Sequence, residues 1–282
     1  MSVIPMTNNR NTDYWDQRHG RILSRKGGWE LGKGITLHGY SLLDDLIGTS
    51  SFFQVLILGI TGSLPDERVA KWTEATFICM SWPDPRIWCN QVSTFGGELR
   101  TSSINAVAAG IMSSESTMYG PLAGLEAVKF IHRAYEFIQD GGSVSEFIET
   151  KAKTRNVLKV PGFGRPIAKG DERVAAMLEY ASELGFSEGP HLKLALDIEK
   201  YLLNNYQESL NLAGYMAAFG LDLGYSITEL PRIITMCVSG GLHSCFSESR
   251  DQPSDSFLPL RCDDIEYTGP SERRIMDTGD GI

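Results

Sequence analysis

From Ser51 to Arg250 the apolar residues recur at the three- and four-residue spacing of a helix, in one segment after another. "LAGLEAVKFIHRAYEFIQDGG" is strongly amphipathic and stops at Gly141-Gly142. "SFFQVLILGITG" opens on a serine suited to capping and closes at glycine. "SLPDERVAKWTEATFICMS" spaces Val69, Trp72, Phe77 and Ile78 helically, with Pro65 early, where a helix tolerates it. "SVSEFIETKAKTRN" begins with a serine and has Glu146 three residues on, a capping box. "SSINAVAAGIMSS" is small and apolar almost all round, the pattern of a buried central helix. "DERVAAMLEYASELG", "PHLKLALDIEKYLLNNY", "ESLNLAGYMAAFGLDLG" and "SITELPRIITMCVSGGLHSCFSESR" continue the period. Strands do not alternate with helices and no repeat recurs, so the pattern predicts an all-α, multi-helix fold.

The flanks differ. Residues 1–34 are polar and rich in Arg, Asn and Gly, and read as an extended arm. "GITLHGY" reads as a short strand or turn, and the Pro- and Asp-rich tail after Arg250 as loop. At 282 residues and 42% hydrophobic content the chain can bury a sizeable core. A net charge of −9 argues against general nucleic-acid binding. Five scattered cysteines form no metal spacing and read as reduced thiols. The first twenty residues lack an apolar signal core, and the longest apolar run, "FFQVLILGI", is too short to cross a bilayer. These features lead to the expectation of a cytoplasmic protein bound to neither membrane nor metal.

The chemistry concentrates in "VPGFGRPIAKGDER", Val160 to Arg173. Two loop glycines flank an aromatic, and basic residues follow, a composition suited to an anionic, adenine-bearing ligand. Arg165, directly after the second glycine, stays charged and cannot exchange a proton, but it can hold a carboxylate or steady an enolate.

In order along about residues 34–273, the motifs resemble the citrate synthase superfamily, which includes the citryl-CoA lyases. "ITLHGYSLLDDLIGTSSFFQVLILGITGSLPDE" resembles the family's opening, and "YGPLAGLEAV" its GPLHGGANEAV segment. "VPGFGRPIAKGDER" resembles the PGFGHxxYKxxDPR loop, and "LALDIEKYL" the helix after it. "NLAGYMAAFGLDLG" resembles the NVDFYSG helix, and "RCDDIEYTGP" the RPxxxYxGP tail. The resemblance implies a large helical domain (35–121 and 213–282) and a small one (122–212) carrying the glycine loop, behind the arm 1–34. It implies a homodimer with sites between domains and subunits, and a coenzyme A thioester lying along the loop. A heteromer with an active homologue is the other assembly it leaves open.

The family's usual chemistry uses two histidines and an aspartate. Here those positions fall on Ala123 (or Pro121, if the gap is placed later), Arg165 and Ala213. The binding positions are better matched. Gly162, Phe163 and Gly164 match the loop against the CoA adenine, and Lys169 a phosphate position. Arg165, Arg173 and Arg261 are the expected substrate clamps. Arg165, Tyr215 and Glu126 are the expected catalytic groups, the last two as recruited acid or base. His38 is expected to be a satisfied structural histidine, and Met112, Met118 and Met216 core filler. His243 and Cys245 sit two apart on a helix and do not face each other. Two readings follow. One is an acyltransferase or carbon–carbon lyase acting on an acyl-CoA or citrate-like polycarboxylate with altered chemistry. The other is an inactive paralogue that senses a ligand or partners an active subunit.

Overall fold

The computed structural model describes residues 12–116, 120–152, 159–165, 168–253 and 261–273. The chain begins with a one-turn helix α1 (Asp13–Asp16) and a three-stranded antiparallel sheet, β1 (Gly27–Glu30), β2 (Gly34–Leu37) and β3 (Tyr40–Ser41). The helices then run α2 (Phe52–Thr61), α3 (Glu67–Met80), α4 (Trp88–Glu98), α5 (Ser103–Ser114), α6 (Pro121–Gln139) and α7 (Val144–Ala152). After the glycine loop come α8 (Glu172–Glu183), α9 (Pro190–Tyr206), α10 (Leu212–Asp222), α11 (Glu229–Ile234) and α12 (Ser239–Asp251). The fold is all-α, as the period predicts.

The helix ends follow local chemistry. Ser51 and Gln54 form a reciprocal cap on α2, which ends at Gly62 in the left-handed region. Ser143 and Glu146 do the same for α7. Pro65 lies just before the α3 cap, Asp66, rather than inside the helix. Pro121 and Pro190 open α6 and α9, where a missing N–H costs nothing. The last helical stretch of the sequence divides into α11 and α12, joined by a tighter 3-10 turn over Thr235–Val238.

Three expectations change. Part of the expected arm is sheet: β1 pairs with β2 from Gly27↔Leu37 to Glu30↔Gly34, because Gly32 and Gly34 adopt the positive φ that closes the hairpin. Lys26 then ties the sheet to the helices, donating from Nζ to the carbonyls of Gly59 (2.9 Å) and Ile60 (3.0 Å) in the last turn of α2. The second change is in α5, which buries only Ala106, Val107, Gly110 and Ser114. Its other face carries Ile104 (78% exposed) and Met112 (79%), so Met112 is not core, whereas Met216 is. Uniformly small apolar composition does not tell one face from two. Thirdly, His38 is structural but not satisfied: it has φ +50 and its buried Nε2 has no partner among the described residues. Met118 lies outside the described residues.

The main apolar cluster joins Trp72 of α3 to α6, α7, α8, α9, α10 and α11, with Ile131, Ile198, Leu202 and Tyr215 at its centre. It runs without a break across residues 212 and 213. The glycine loop lies on this cluster, which fixes the site described next.

Candidate active site

The loop is held by main chain. Gly162 (φ +87) and Gly164 (φ +75) take a conformation that costs other residues about 1–2 kcal/mol. Gly162 accepts from the Asn211 N–H at 3.0 Å, and Gly164 donates to the Ser209 carbonyl at 2.8 Å. Asn211, which caps α10, also donates from its side chain to the Gly164 carbonyl at 2.7 Å. A Cβ at Gly162 would stand 2.8 Å from Gly214 Cα and 3.3 Å from Ala127 Cβ. The first turn of α10, the loop and α6 therefore meet at van der Waals distance. Ala213 adjoins that contact, and Ala123 lies one turn before Ala127 on the same face of α6. The structure thus brings the positions Ala123, Arg165 and Ala213 to elements that converge on the loop.

Phe163 is placed differently from expectation. Its ring is buried in the main cluster, edge-on to Phe130 at 6.1 Å, because the loop bridges to Leu210 and turns the side chain inward. Lys169 is exposed and donates to Gln207 Oε1 at 3.0 Å.

The charged centre is Asp171. Its side chain is fully buried (0% exposed), and it caps α8. Arg173 reaches it with a bidentate fork, Nε to Oδ1 and Nη2 to Oδ2, both 2.7 Å, while Arg173 Nη1 donates to the Cys79 carbonyl at 3.3 Å. The Leu212 N–H, at the start of α10, donates to Oδ2 at 2.9 Å. Arg165 Nη1 lies 3.9 Å from Oδ1. Burial alone would raise the Asp171 pKa; the Arg173 fork, the Leu212 N–H and the Arg165 charge outweigh it and hold the carboxyl below its usual range. Arg165 makes its closest contact with Glu172 Oε2, at 2.7 Å. Its guanidinium carbon lies 6.0 Å from the centre of the Trp82 ring.

The other expected groups stand apart. Tyr215 is fully buried; its hydroxyl accepts from Trp72 Nε1 at 3.2 Å and donates to the Met177 carbonyl at 3.0 Å. Burial pushes its pKa up to about 12, the environment of a core tyrosine rather than of an acid or base at neutral pH. Glu126 is half-exposed on α6 and pairs with Lys129 at 2.9 Å. Arg261 is exposed on the C-terminal segment, where its backbone N–H donates to Asp264 Oδ2 at 2.7 Å. No contact among the described residues joins it to Arg165 or Arg173.

Residues 90–221, from α4 to the end of α10, match the family "Citrate synthase, C-terminal domain". Citryl-CoA lyase from Hydrogenobacter thermophilus matches at a TM-score of 0.77 and 25% identity, over 90% of this chain and 98% of that one. The family match and this likeness together support assignment to the citrate synthase superfamily. Two more distant superfamily members agree in fold alone. ATP citrate lyase from Methanothrix soehngenii, in complex with citrate and coenzyme A, matches at a TM-score of 0.74 and 18% identity, over 96% of this chain and 46% of that one. Citrate synthase from Thermotoga maritima matches at 0.61 and 16%, over 79% and 59%. No curated protein matches the chain in sequence. Within the superfamily fold, then, the glycine loop, Arg165 and Arg173 form one neighbourhood, to which sequence reading did not assign Trp82 or the hub role of Asp171. Asp171 was legible as a capping residue two positions before an arginine. Trp82 carried no functional signal in the sequence.

No group of three or more His, Cys, Asp or Glu among the described residues could hold a metal. All five cysteines are unpaired. No helix among the described residues is long and apolar enough to cross a membrane.

Proposed function

We propose that the chain is a citrate synthase-like enzyme acting on an acyl-CoA or a citrate-like polycarboxylate, making or breaking a carbon–carbon bond next to the thioester carbonyl. The observation that carries this reading is the gathering of two guanidinium groups, Arg165 and Arg173, around one buried carboxylate beside the glycine loop. The likeness to a citryl-CoA lyase over nearly its whole length supports the choice of chemistry. In bond formation a base, with Glu126 the candidate, takes a proton from the thioester α-carbon, the enolate attacks a ketone carbon and the new alkoxide takes up a proton; in cleavage the hydroxyl gives up its proton, the carbon–carbon bond breaks and the enolate left behind is protonated at carbon. Either way negative charge grows on the thioester oxygen, and a fixed guanidinium lowers that barrier without moving a proton. Arg173 is the carboxylate clamp, and Arg165 the clamp or enolate stabiliser. Gly162 and Gly164 supply close backbone approach for the cofactor portion, with Lys169 for phosphate. Of the acid–base candidates, Glu126 retains a solvent-reachable carboxylate, and Tyr215 is assigned to the core. Arg261 enters as a third clamp only through a second copy of the chain.

Thermal unfolding with CoA, acetyl-CoA and citrate tests this directly. A ligand at about 100 times its dissociation constant adds about 2.7 kcal/mol, and no shift with any of the three removes the reading. Arg165→Gln is expected to lower turnover of the responsive substrate about 100-fold. The second reading, a ligand sensor or partner subunit, is favoured by Ala123 and Ala213, which have no proton to give at two of the family's catalytic positions. A clear thermal shift without turnover of acetyl-CoA or a citryl thioester would decide for it.

An exposed apolar face on α5 suits a second copy. Ile104, Ala108 and Met112 recur every fourth residue along the exposed face of α5, and Leu99 is exposed nearby at the end of α4. We assign the dimer contact to this face. Ile104→Glu with Met112→Glu is expected to give a monomer by light scattering, with the unfolding midpoint little changed. A dimer that survives both substitutions would place the contact elsewhere.

A further inference from the structure

The anion site is already filled, by a side chain of its own helix. Arg165 is mostly buried (11% exposed) and directs Nη1 to Glu172, whose side chain is 75% exposed. The two acids of "GDER" are therefore not equivalent. Asp171 is anchored by the Arg173 fork, by the Leu212 N–H and by its cap on α8. Glu172 has one strong partner, Arg165, and sits at the first position of α8, where its own N–H and the bond from Arg165 hold its carboxyl below the usual range. Beside Arg165 lies a second unusual group. The Trp82 indole N–H is buried and has no hydrogen-bond partner among the described residues, although buried donors are nearly always paired. Trp82 is a neighbour of Arg165, its ring centre 6.0 Å from the guanidinium carbon, and Glu172 pairs with Arg165 while the indole N–H stays without a partner among the described residues.

We propose that Glu172 occupies the Arg165 fork as a stand-in for a substrate carboxylate, and that the incoming carboxylate displaces it and takes the Trp82 N–H as its second donor. This rests on the reading of Arg165 as an anion clamp. Displacement is feasible because Glu172 swings into water, whereas Asp171 stays fixed and keeps the arginines in place. Selectivity follows from the same arrangement. A ligand must supply a carboxylate that matches both donors to outcompete a group tethered seven residues away from Arg165. CoA itself, which offers phosphates but no carboxylate, is the contrasting ligand.

Calorimetric titration of the full chain with citrate, and separately with CoA, tests the proposal. Glu172→Gln is expected to bind citrate roughly two- to fivefold more tightly, the size of a relieved competing ion pair. Glu183→Gln, at the far end of α8, controls for loss of charge alone. Trp82→Phe is expected to weaken citrate about tenfold and leave CoA unchanged; weakening of both would mean a merely structural role. If Arg165→Gln abolishes citrate binding but Glu172→Gln binds no better than the Glu183→Gln control, displacement is wrong and the anion clamp stands. If Arg165→Gln binds citrate as the parent does, or the parent binds none, the clamp falls and the displacement with it.

Discussion

Asp171→Ala is expected to lower stability by about 3–5 kcal/mol, the usual cost of removing one partner from a buried ion pair. Four favourable contacts disappear together: the Arg173 fork, the cap on α8, the Leu212 N–H and the field on Arg165. What remains is worse than a gap, because the mostly buried Arg173 guanidinium loses the carboxylate that its fork grips, while Arg165 keeps Glu172. A fall in Tm on the order of 10 °C in calorimetry would match that loss. The same residue sets an acid limb. Its folded pKa lies below its ordinary value of 3.8, so its contribution is complete above that value and fades as pH falls beneath it. The parent should therefore lose stability more steeply below about pH 4 than Asp171→Ala does. Equal acid slopes would show that other carboxylates dominate.

Gly214→Ala should also be strongly destabilising, against the rule for helices. Alanine in a helix interior is ordinarily favoured over glycine by about 1 kcal/mol. Here the added methyl would fall on the Gly162 carbonyl oxygen and 2.7 Å from Leu210 Cδ1. Neither neighbour has room to give, since the oxygen belongs to the loop backbone and Leu210 is fully buried. A net loss of about 1–3 kcal/mol is expected from overpacking. Ligand binding should suffer more than stability, because the relief available is movement of the glycine loop itself. Chemical denaturation and citrate titration on the same variant separate the two effects. A variant more stable than the parent would show that loop and helix are less tightly apposed than described.

Why some of this was legible in the sequence and some not is clearest in a repeated pattern. An aspartate precedes an arginine by two residues at Asp66–Arg68, Asp84–Arg86 and Asp171–Arg173, and each pair forms an ion pair. The local chemistry is the same, and it could be read. Only burial separates them: the arginines of the first two pairs are 51% and 79% exposed, whereas the third is 20% exposed over a fully buried aspartate. That difference is made by α10 and by the Cys79 carbonyl, which are remote in sequence. Period and caps revealed the helices for the same reason, being local. The faces of α5 and the inward ring of Phe163 depend on what packs against them, and no local signal carried them. The loop glycines were legible because positive φ is a property of the residue itself. The isolation of the Trp82 N–H was not, because a missing partner leaves no mark in a sequence.

Both ends of α10 are anchored. At its start Gly214 abuts Gly162 and the Leu212 N–H meets Asp171. At its end Asp222 accepts from the N–H groups of His191 (2.9 Å) and Leu192 (2.9 Å), closing the first turn of α9, with His191 Nδ1 2.8 Å from the same carboxylate. Just before α10, Glu199 on α9 accepts from the Leu210 N–H at 2.9 Å. In mechanical terms α10 is a strut about 16 Å long, welded to the loop at one end and to its neighbouring helix at the other. A push on the loop by a ligand cannot be absorbed by bending at residues 212–213. It is delivered through α10 to the base of α9.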